Sequence, residues 1–479
     1  MRVRSLLVSA ALVATALPMA TAGLDGAAAA SCTAPAMTFA ASSASTLAPG
    51  VTALTGSTRT GTTKVGVHVV RVDLTKARLR VAGPGATGSA RVQDILASLD
   101  DGVAAVNGDF FHIAADGVSV APDGPIADEG QIVKAGAGEA DALVVSNGIA
   151  SVTQPRFGGG VTFTDVLTAT ASAVKAGPSA TTAVAPATKT TTKPAPTKPK
   201  TAKKTKKKIK HKKKHRKSHH KAKPKRKKHK KHTVAHPVRR PAATVVVTPA
   251  PVAPAGTTSS LGASAAVSLD GLNDVDGRVG AVLITSRWGT SFVAPSIPAK
   301  DIEVVAANGV VTQVLSADDA VRPAPGQVAV VLSPAIAGAM PWLSKGDRIG
   351  VHGALSGPDG PADAAIGGNA RLVGDDVVDP SCSLGSDTTR RPRVAVGTYD
   401  SGHSVVIAVT DGDSSTMPGL TLHELGSLMR SLGATGALNL DGGQSSTLRE
   451  RTAGGWFEAT MSDRSTERPV SDVLAVVTG

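Results

Sequence analysis

The chain has 479 residues, a length that allows two or three domains, and its 52 Lys and Arg residues against 37 Asp and Glu residues give a net charge of +15. Two cysteines are too few for a zinc cluster built from thiolates, and neither a G-x-S-x-G elbow nor a Walker loop occurs. The sequence therefore shows no thiolate metal centre, no hydrolase elbow and no P-loop.

The N-terminus has the pattern of a secretory signal peptide. A basic start precedes the apolar run Leu6–Leu17, and Ala20-Thr21-Ala22 offers a small-residue cleavage site. We expect residues 1–22 to be this peptide and residues 23–60 to be a flexible segment. The protein should then be secreted, either extracellular or associated with a cell wall. No later segment reaches the roughly 18 apolar residues of a transmembrane helix.

The two cysteines are far apart in the sequence. Cys32 lies near the mature N-terminus, and Cys382 precedes the strand that begins near Val394. Because export places both in an oxidising compartment, we predict a disulfide between them. The alternative is two unpaired thiols.

The first part of the predicted catalytic domain covers residues 61–170. Apolar spacing predicts a helix over Ser89–Asp101 and a strand over Val103–Val106, which runs into Asn107-Gly108-Asp109-Phe110-Phe111. We expect Asn107 and Asp109 to lie at the functional site with the phenylalanines beneath them. The alternative is an Asn-Gly turn followed by two core phenylalanines.

A basic insert interrupts the domain over residues 171–260. Between Lys189 and Arg240 there are 25 of the 52 Lys and Arg residues and no acidic residue, so the remainder of the chain has a net charge of −10. Such dense like charge without an apolar face predicts disorder. We expect the insert to bind an anionic cell-wall polymer or a membrane surface. Nucleic acid is a less favoured partner because of the signal peptide. The alternative is a solvated linker without a partner.

The second part of the domain covers residues 261–479. Its patterns predict strands over Gly280–Thr285 and Val473–Val477 and a hairpin over Asp301–Val314 that turns at Asn308-Gly309. Gly367-Gly368 should permit a close approach of the backbone to a ligand, or it is a plain glycine turn.

Two aspartates are predicted at the ends of strands. Asp411 follows the strand Ser404–Thr410, and Asp441 follows the strand Ala437–Leu440. A helix that opens at Thr421 with a capping box lies between them, so the two strands should be parallel and adjacent. The two carboxylates would then lie at one edge of the sheet, close enough to divide acid, base or nucleophile roles or to hold a cation.

The glycines after Asp441 suggest a ligand site, although an Asp-Gly hairpin turn is an equal alternative. Gly442 and Gly443 carry no Cβ, so their N–H groups can face a ligand. Near the C-terminus, Arg468 can clamp a phosphate or pair with a surface carboxylate.

These stretches together resemble the phosphodiester glycosidase family. The residues that carry the resemblance, in order along about Val65–Gly479 without the insert, are Asn107–Phe111, Ile366-Gly367-Gly368, Val394–Tyr399, Asp411-Gly412, the Leu420–Gly433 helix, Asn439–Thr447 and Glu467–Val470. The sequence departs from the family at Gln444, where Gly is more common, and at Asn369, where Pro is common. The resemblance implies a single mixed α/β (α+β), β-rich domain with few helices and a hydrolase activity that cleaves a sugar from a phosphodiester.

The chemistry of cleaving a glycosyl phosphate suggests roles for individual residues, and the resemblance agrees with them. Asp441 and Asp411 are the catalytic candidates, and a Ca²⁺ ion held by one or both is a further candidate. The substrate-binding candidates are Asn107, Asp109, Gly367, Gly368, Arg371, Asn439, Gly442, Gly443, Ser445, Ser446 and Arg468. Among these, Arg371, Arg468 and the backbone of Gly442 and Gly443 should stabilise the leaving phosphate. The alternative from another class is a non-catalytic wall-polymer-binding protein anchored by the insert.

Overall fold

The structure is a computed structural model. It describes residues 36–113, 120–136, 140–166, 245–248, 262–274, 280–289, 298–374, 377–378, 389–412, 416–452, 455–460 and 467–478. These residues belong to one compact unit that spans Met1–Leu167 and Ala242–Gly479. The predicted signal peptide, both cysteines and the basic tract lie outside the described residues, so the disulfide and the disordered insert stay predictions.

Strands dominate the described residues, as predicted. The strands of the first part are β1 (Ala40–Ala48), β2 (Val51–Thr60), β3 (Thr63–Asp73), β4 (Arg78–Ala82), β5 (Gly102–Asn107), β6 (Phe111–Ile113), β7 (Val120–Pro122), β8 (Ile126–Asp128), β9 (Gln131–Lys134), β10 (Ala142–Ser146), β11 (Ile149–Thr153) and β12 (Arg156–Thr164). Those of the second part are β13 (Val245–Thr248), β14 (Ser264–Ser268), β15 (Gly271–Leu272), β16 (Ala281–Thr285), β17 (Ile302–Ala307), β18 (Val310–Ser316), β19 (Gln327–Leu332), β20 (Arg348–Gly357), β21 (Gly360–Pro361), β22 (Ala364–Gly367), β23 (Ala370–Gly374), β24 (Val377–Val378), β25 (Arg393–Tyr399), β26 (Ser404–Thr410), β27 (Gly436–Leu440), β28 (Thr447–Thr452), β29 (Gly455–Thr460) and β30 (Val473–Val477). The α-helices are α1 (Val92–Ala97), α2 (Pro334–Gly338) and α3 (Leu422–Ser431).

The strands form several sheets that are mainly antiparallel. Within the described residues, the larger sheets have the orders β1-β2-β3-β26-β25-β27-β23-β24, β11-β10-β22-β8-β9, β13-β14-β12-β20-β18-β17-β19-β16-β15 and β29-β28-β5-β30-β4. The short contact between β15 and β16 is parallel. This β-rich, mixed architecture with few helices confirms the predicted fold class.

Strands from both sides of the insert share the same sheets. In the first of these sheets β3 pairs with β26, and in the last β5 pairs with both β28 and β30. Each pairing joins residues that precede Leu167 to residues that follow Ala242. The two parts of the chain therefore build the fold together.

Two expectations about strands need correction. The segment that we expected to be flexible contains β1 and β2, because alternate residues such as Val51 and Ala53 are buried. β26 and β27 do run in the same direction, but β25 lies between them and is antiparallel to both. The prediction of adjacent strands is therefore wrong, because β27 pairs with the free edge of the β25–β26 hairpin.

The helix α3 forms as its sequence predicts. The Thr421 hydroxyl accepts the Glu424 N–H, and the Glu424 carboxylate accepts the Thr421 N–H, which completes the capping box. The apolar face of the helix, which includes Leu425 and Leu428, packs on the first sheet. No helix in the described part of the chain is both long enough and apolar enough to span a membrane.

Candidate active site

The loop that follows β27 is held at both ends by one buried asparagine. The Asn107 side-chain amide donates to the carbonyl oxygen of Asp441 at 2.6 Å, and its oxygen accepts the N–H of Thr447 at 3.0 Å. The N–H of Asp441 donates to the carbonyl oxygen of Gly108 at 3.0 Å. Asn107 therefore positions the loop from beneath, and main-chain groups occupy both of its polar atoms.

A cleft of about 450 Å³ opens above this loop. Its lining residues are Thr389, Arg390, Arg391, Asp441, Gly442, Gly443, Gln444 and Arg468. One carboxylate thus shares a cavity with three guanidinium groups. Such a cavity favours an anionic ligand with an acid or base at its centre.

Asp441 is the carboxyl group of this cleft. Burial raises its pKa, while hydrogen bonding from Ser445 and the charge of Arg468 oppose that rise. Ser445 also accepts a hydrogen bond from Nη1 of Arg468 at 3.0 Å, so its hydroxyl links the two charged groups. The Arg468 guanidinium lies 4.8 Å from the centre of the Phe111 ring, which holds it by a cation–π contact.

The glycine N–H groups have acceptors inside the protein. The N–H of Gly442 donates to Oδ1 of Asp441 at 2.9 Å, and that of Gly443 donates to the carbonyl oxygen of Pro392 at 2.8 Å. Gly443 adopts a φ of 62°, which favours glycine, and a Cβ on Gly442 would lie 2.9 Å from the Pro392 oxygen. These glycines shape a tight loop, and the charged donors among the described residues that line the cleft are the side chains of Arg390, Arg391 and Arg468.

A buried pair of carboxyl groups, Asp109 and Asp472, lies beside the loop. Asp109 accepts the N–H groups of Phe110 at 2.8 Å and Gly124 at 2.6 Å, and Oδ1 of Asp472 accepts the N–H of Asp109 at 2.9 Å. Burial, and then the neighbouring charge of Asp472, raises the pKa of Asp109 well above its ordinary value. Burial raises the pKa of Asp472 to about 6. Asp109 is therefore a buried partner of Asp472 and not an exposed substrate ligand.

Sequence reasoning missed Asp472 and the exposed Asp123. Asp472 directly precedes the fully apolar strand β30. An acidic residue next to a buried strand is the sequence pattern that could have identified it. Asp123 follows β7, and its charge raises the pKa of Asp441. It lies 2.5 Å from Nδ1 of His112.

Asp411 lies apart from the cleft. Its N–H donates to the carbonyl oxygen of Gly66 at 2.9 Å, and its Oδ2 lies 1.8 Å from the position that a Cβ on Gly66 would take. Burial raises its pKa, and the nearby His68 opposes that rise. Among the described residues that line the cleft, Asp411 does not occur. The intervening strand β25 is the reason, since it separates the ends of β26 and β27.

Three further substrate-binding candidates, Arg371, Gly367 and Gly368, are not among the described residues that line the cleft. Arg371 pairs with Asp141 at 2.6 Å and lines a separate cavity of about 400 Å³. Gly367 and Gly368 pack closely against other protein atoms. A Cβ on Gly367 would lie 2.5 Å from Oδ2 of Asp109, and a Cβ on Gly368 would lie 2.5 Å from the carbonyl oxygen of Asn439.

Two polar side chains near the loop are buried. Asn439 donates to Oδ1 of Asn369 at 2.7 Å. Within the described part of the chain, the Asn439 side-chain oxygen and the Ser446 hydroxyl have no hydrogen-bond partner. Both residues are thus part of the packed support of the loop. The described residues contain no group of three or more His, Cys, Asp or Glu side chains that is placed to hold a metal ion.

Replacing Asp472 by Asn should change how stability depends on pH. Its pKa of about 6 exceeds the ordinary 3.8, so the folded protein retains a proton that the unfolded chain loses, and stability falls as pH rises through this window. Asn should remove this loss, which amounts to about 2 to 3 kcal/mol between pH 4 and pH 7.

Urea unfolding of both proteins at several pH values measures this difference. The charged groups around Asp472 are Asp109, Asp441 and Lys134. Removing the charge of Asp472 also lowers the pKa of Asp109, which reduces the loss of stability with pH in the same direction. A difference between the two proteins that stays constant from pH 4 to pH 7 would contradict the prediction.

The cleft places one carboxylate beside three guanidinium groups, an arrangement that suits an anionic ligand. Residues 298–477 match the family model described as phosphodiester glycosidase, which confirms the resemblance seen in the motifs. The matched range begins after the insert and is shorter than the range that the motifs suggest. No curated protein matches the chain in sequence.

Solved structures share the fold. A hypothetical protein from Synechocystis superposes with a TM-score of 0.55 at 15% identity, over 90% of this chain and 62% of that one. A protein from Burkholderia pseudomallei K96243 superposes with a TM-score of 0.53 at 17% identity, over 87% of this chain and 74% of that one. The catalytic domain of zebrafish N-acetylglucosamine-1-phosphodiester alpha-N-acetylglucosaminidase gives a TM-score of 0.36 at 11% identity, over 93% of this chain and 89% of that one. The first two similarities show the fold alone.

Proposed function

We propose that the protein is a secreted hydrolase that cleaves a sugar from a glycosyl phosphodiester, with Asp441 at the centre of its active site. The observation that carries this proposal is the cleft in which Asp441 faces Arg390, Arg391 and Arg468. The family of residues 298–477 supports the same reaction class. Glycans of a cell wall or an exopolysaccharide are the substrates that suit a secreted enzyme.

The chemistry follows from the charges of the cleft. Cleavage requires a carboxyl group that acts on the anomeric carbon, directly or through water, and cationic groups that stabilise the departing phosphate. Because burial raises the pKa of Asp441, this carboxyl can exchange a proton closer to neutral pH than an exposed aspartate can.

The test is a panel of α-glycosyl phosphodiesters with different sugars, each compared with the methyl glycoside of the same sugar. Purified mature protein should release reducing sugar from at least one phosphodiester and not from its phosphate-free counterpart. If no member of the panel releases sugar but the protein retains a phosphorylated glycan, the non-catalytic binding protein is the correct class. Equal release from both kinds of substrate would contradict the role given to the arginines.

We also infer that the basic tract Lys189–Arg240 attaches the enzyme to an anionic wall polymer or membrane surface. Its 25 Lys and Arg residues without acidic residues support this attachment. A variant that lacks Lys189–Arg240 should keep its sugar-releasing activity and lose retention on teichoic-acid-type polymers or anionic vesicles. Retention of the complete protein should fall steeply as salt rises. Unchanged retention of the shortened variant would contradict this inference.

A further inference from the structure

Glu424 is a buried carboxylate that joins three parts of the fold. It is the third residue of α3, and its side chain is 5% exposed. Oε1 accepts the hydroxyl of Thr60 in β2 at 2.6 Å, and Oε2 accepts the N–H of Thr421 at 2.9 Å. Oε2 also accepts Nη1 of Arg390.

The helix cap alone does not require the negative charge of this side chain. A capping box functions with either Glu or Gln at this position, because it needs only an acceptor for the N-cap N–H. A buried charge is costly unless it is paired, and here the ion-pair partner is Arg390. Burial alone would raise the pKa of Glu424. The hydrogen bonds from Arg390, Thr60 and Thr421 have the larger combined effect, so the pKa is lowered.

Arg390 connects this buried carboxylate to the cleft. Its side chain is 37% exposed and lines the cavity that contains Asp441. A guanidinium group has five N–H donors in a fixed plane, so one hydrogen bond to Glu424 leaves donors for a second anion. The neighbouring Arg391 lines the same cleft, and in the described part of the chain no ion pair is seen for it.

We propose that Glu424 is a positioning residue that fixes the guanidinium of Arg390 at the wall of the cleft, where Arg390 binds the phosphate of the substrate. This inference rests on the proposed function, because it assigns the anion end of the same cleft. A fixed guanidinium loses less conformational freedom when it binds than a free side chain does. The phosphate therefore binds on the side of residues 389–391.

The variant Glu424→Gln tests the proposal because it keeps an acceptor for the helix cap and removes the charge. We expect the dissociation constant for inorganic phosphate, measured by isothermal titration calorimetry, to rise by about tenfold, as the loss of a fixed charged hydrogen bond would require. On a phosphodiester substrate KM should rise by a similar factor, while kcat changes less than twofold. Asp94→Asn is the matched control, because Asp94 also lies in the first turn of a helix and pairs with an arginine, Arg91, in an exposed position.

A double variant separates positioning from a purely structural role. If Glu424 acts through Arg390, adding Glu424→Gln to Arg390→Gln should weaken phosphate binding no further. The proposal would be overturned if the effects of the two substitutions on phosphate binding were fully additive. It would also be overturned if Glu424→Gln bound phosphate as the wild type does, even if the variant had a reduced thermal stability. Calorimetry needs no turnover, so a protein without hydrolytic activity can still pass or fail this test.

Discussion

Asp441→Asn should lower kcat for release of sugar from a glycosyl phosphodiester by about a thousandfold, the size of effect expected for loss of an acid–base or nucleophilic carboxyl group. The side chain has the same shape, and its oxygen can still accept the N–H of Gly442, which donates at 2.9 Å in the wild type. The loop should therefore keep its conformation. Steady-state kinetics on the best substrate of the panel, together with circular dichroism, measure the two effects separately.

The control for this variant is Asp411→Asn. Asp411 also follows a strand, and burial also raises its pKa, but it packs against Gly66 outside the cleft. We expect its kcat to remain within about twofold of the wild type, as for a substitution that touches no reacting group. A large loss of activity in Asp411→Asn together with an active Asp441→Asn would reverse the assignment of the catalytic carboxyl group.

Gly108→Ala should reduce the free energy of unfolding by about 3 kcal/mol, at the upper end of the usual cost of overpacking. A Cβ at this position would lie 1.9 Å from Oδ1 of Asp472 and 2.7 Å from Cδ1 of Ile366. The Asp472 carboxylate is buried and accepts the N–H of Asp109, so it cannot move aside without breaking that bond. Activity should fall as well, because a backbone shift that relieves the clash would displace the carbonyl oxygen of residue 108, which accepts the N–H of Asp441.

Urea denaturation and steady-state kinetics measure both consequences, and Gly158→Ala is the matched control. Gly158 lies in β12, and a Cβ there would have no heavy atom within 4 Å. The control should change the free energy of unfolding by less than about 0.5 kcal/mol. If the two variants were equally stable, the close packing of Gly108 against Asp472 would not describe the folded protein.

Local patterns predicted local structure well. The Asn308-Gly309 turn has both residues at positive φ, and the capping box at Thr421 forms with both of its hydrogen bonds. In each case the residues that determine the conformation are only a few positions apart. The apolar runs likewise predicted the buried strands, including the strand before Asp441.

The lateral order of strands was harder to predict. β25 and β26 form a hairpin, and the sequence of β27 is compatible with either edge of it. Because β27 pairs with β25 and not with β26, one strand separates Asp411 from Asp441. The partners of Asp109 and Asp472 depend on contacts between residues 363 positions apart, and no local pattern encodes such a contact.

The position of β30 has a consequence for biosynthesis. This strand, Val473–Val477, lies between β5 and β4, which are made almost 400 residues earlier. While a ribosome is still elongating the chain, those two early strands lack the neighbour that joins them, so the sheet can close only after synthesis has passed residue 477. Because Asn107 at the end of β5 holds the loop that follows β27, the candidate site would also be completed only at this late stage of synthesis.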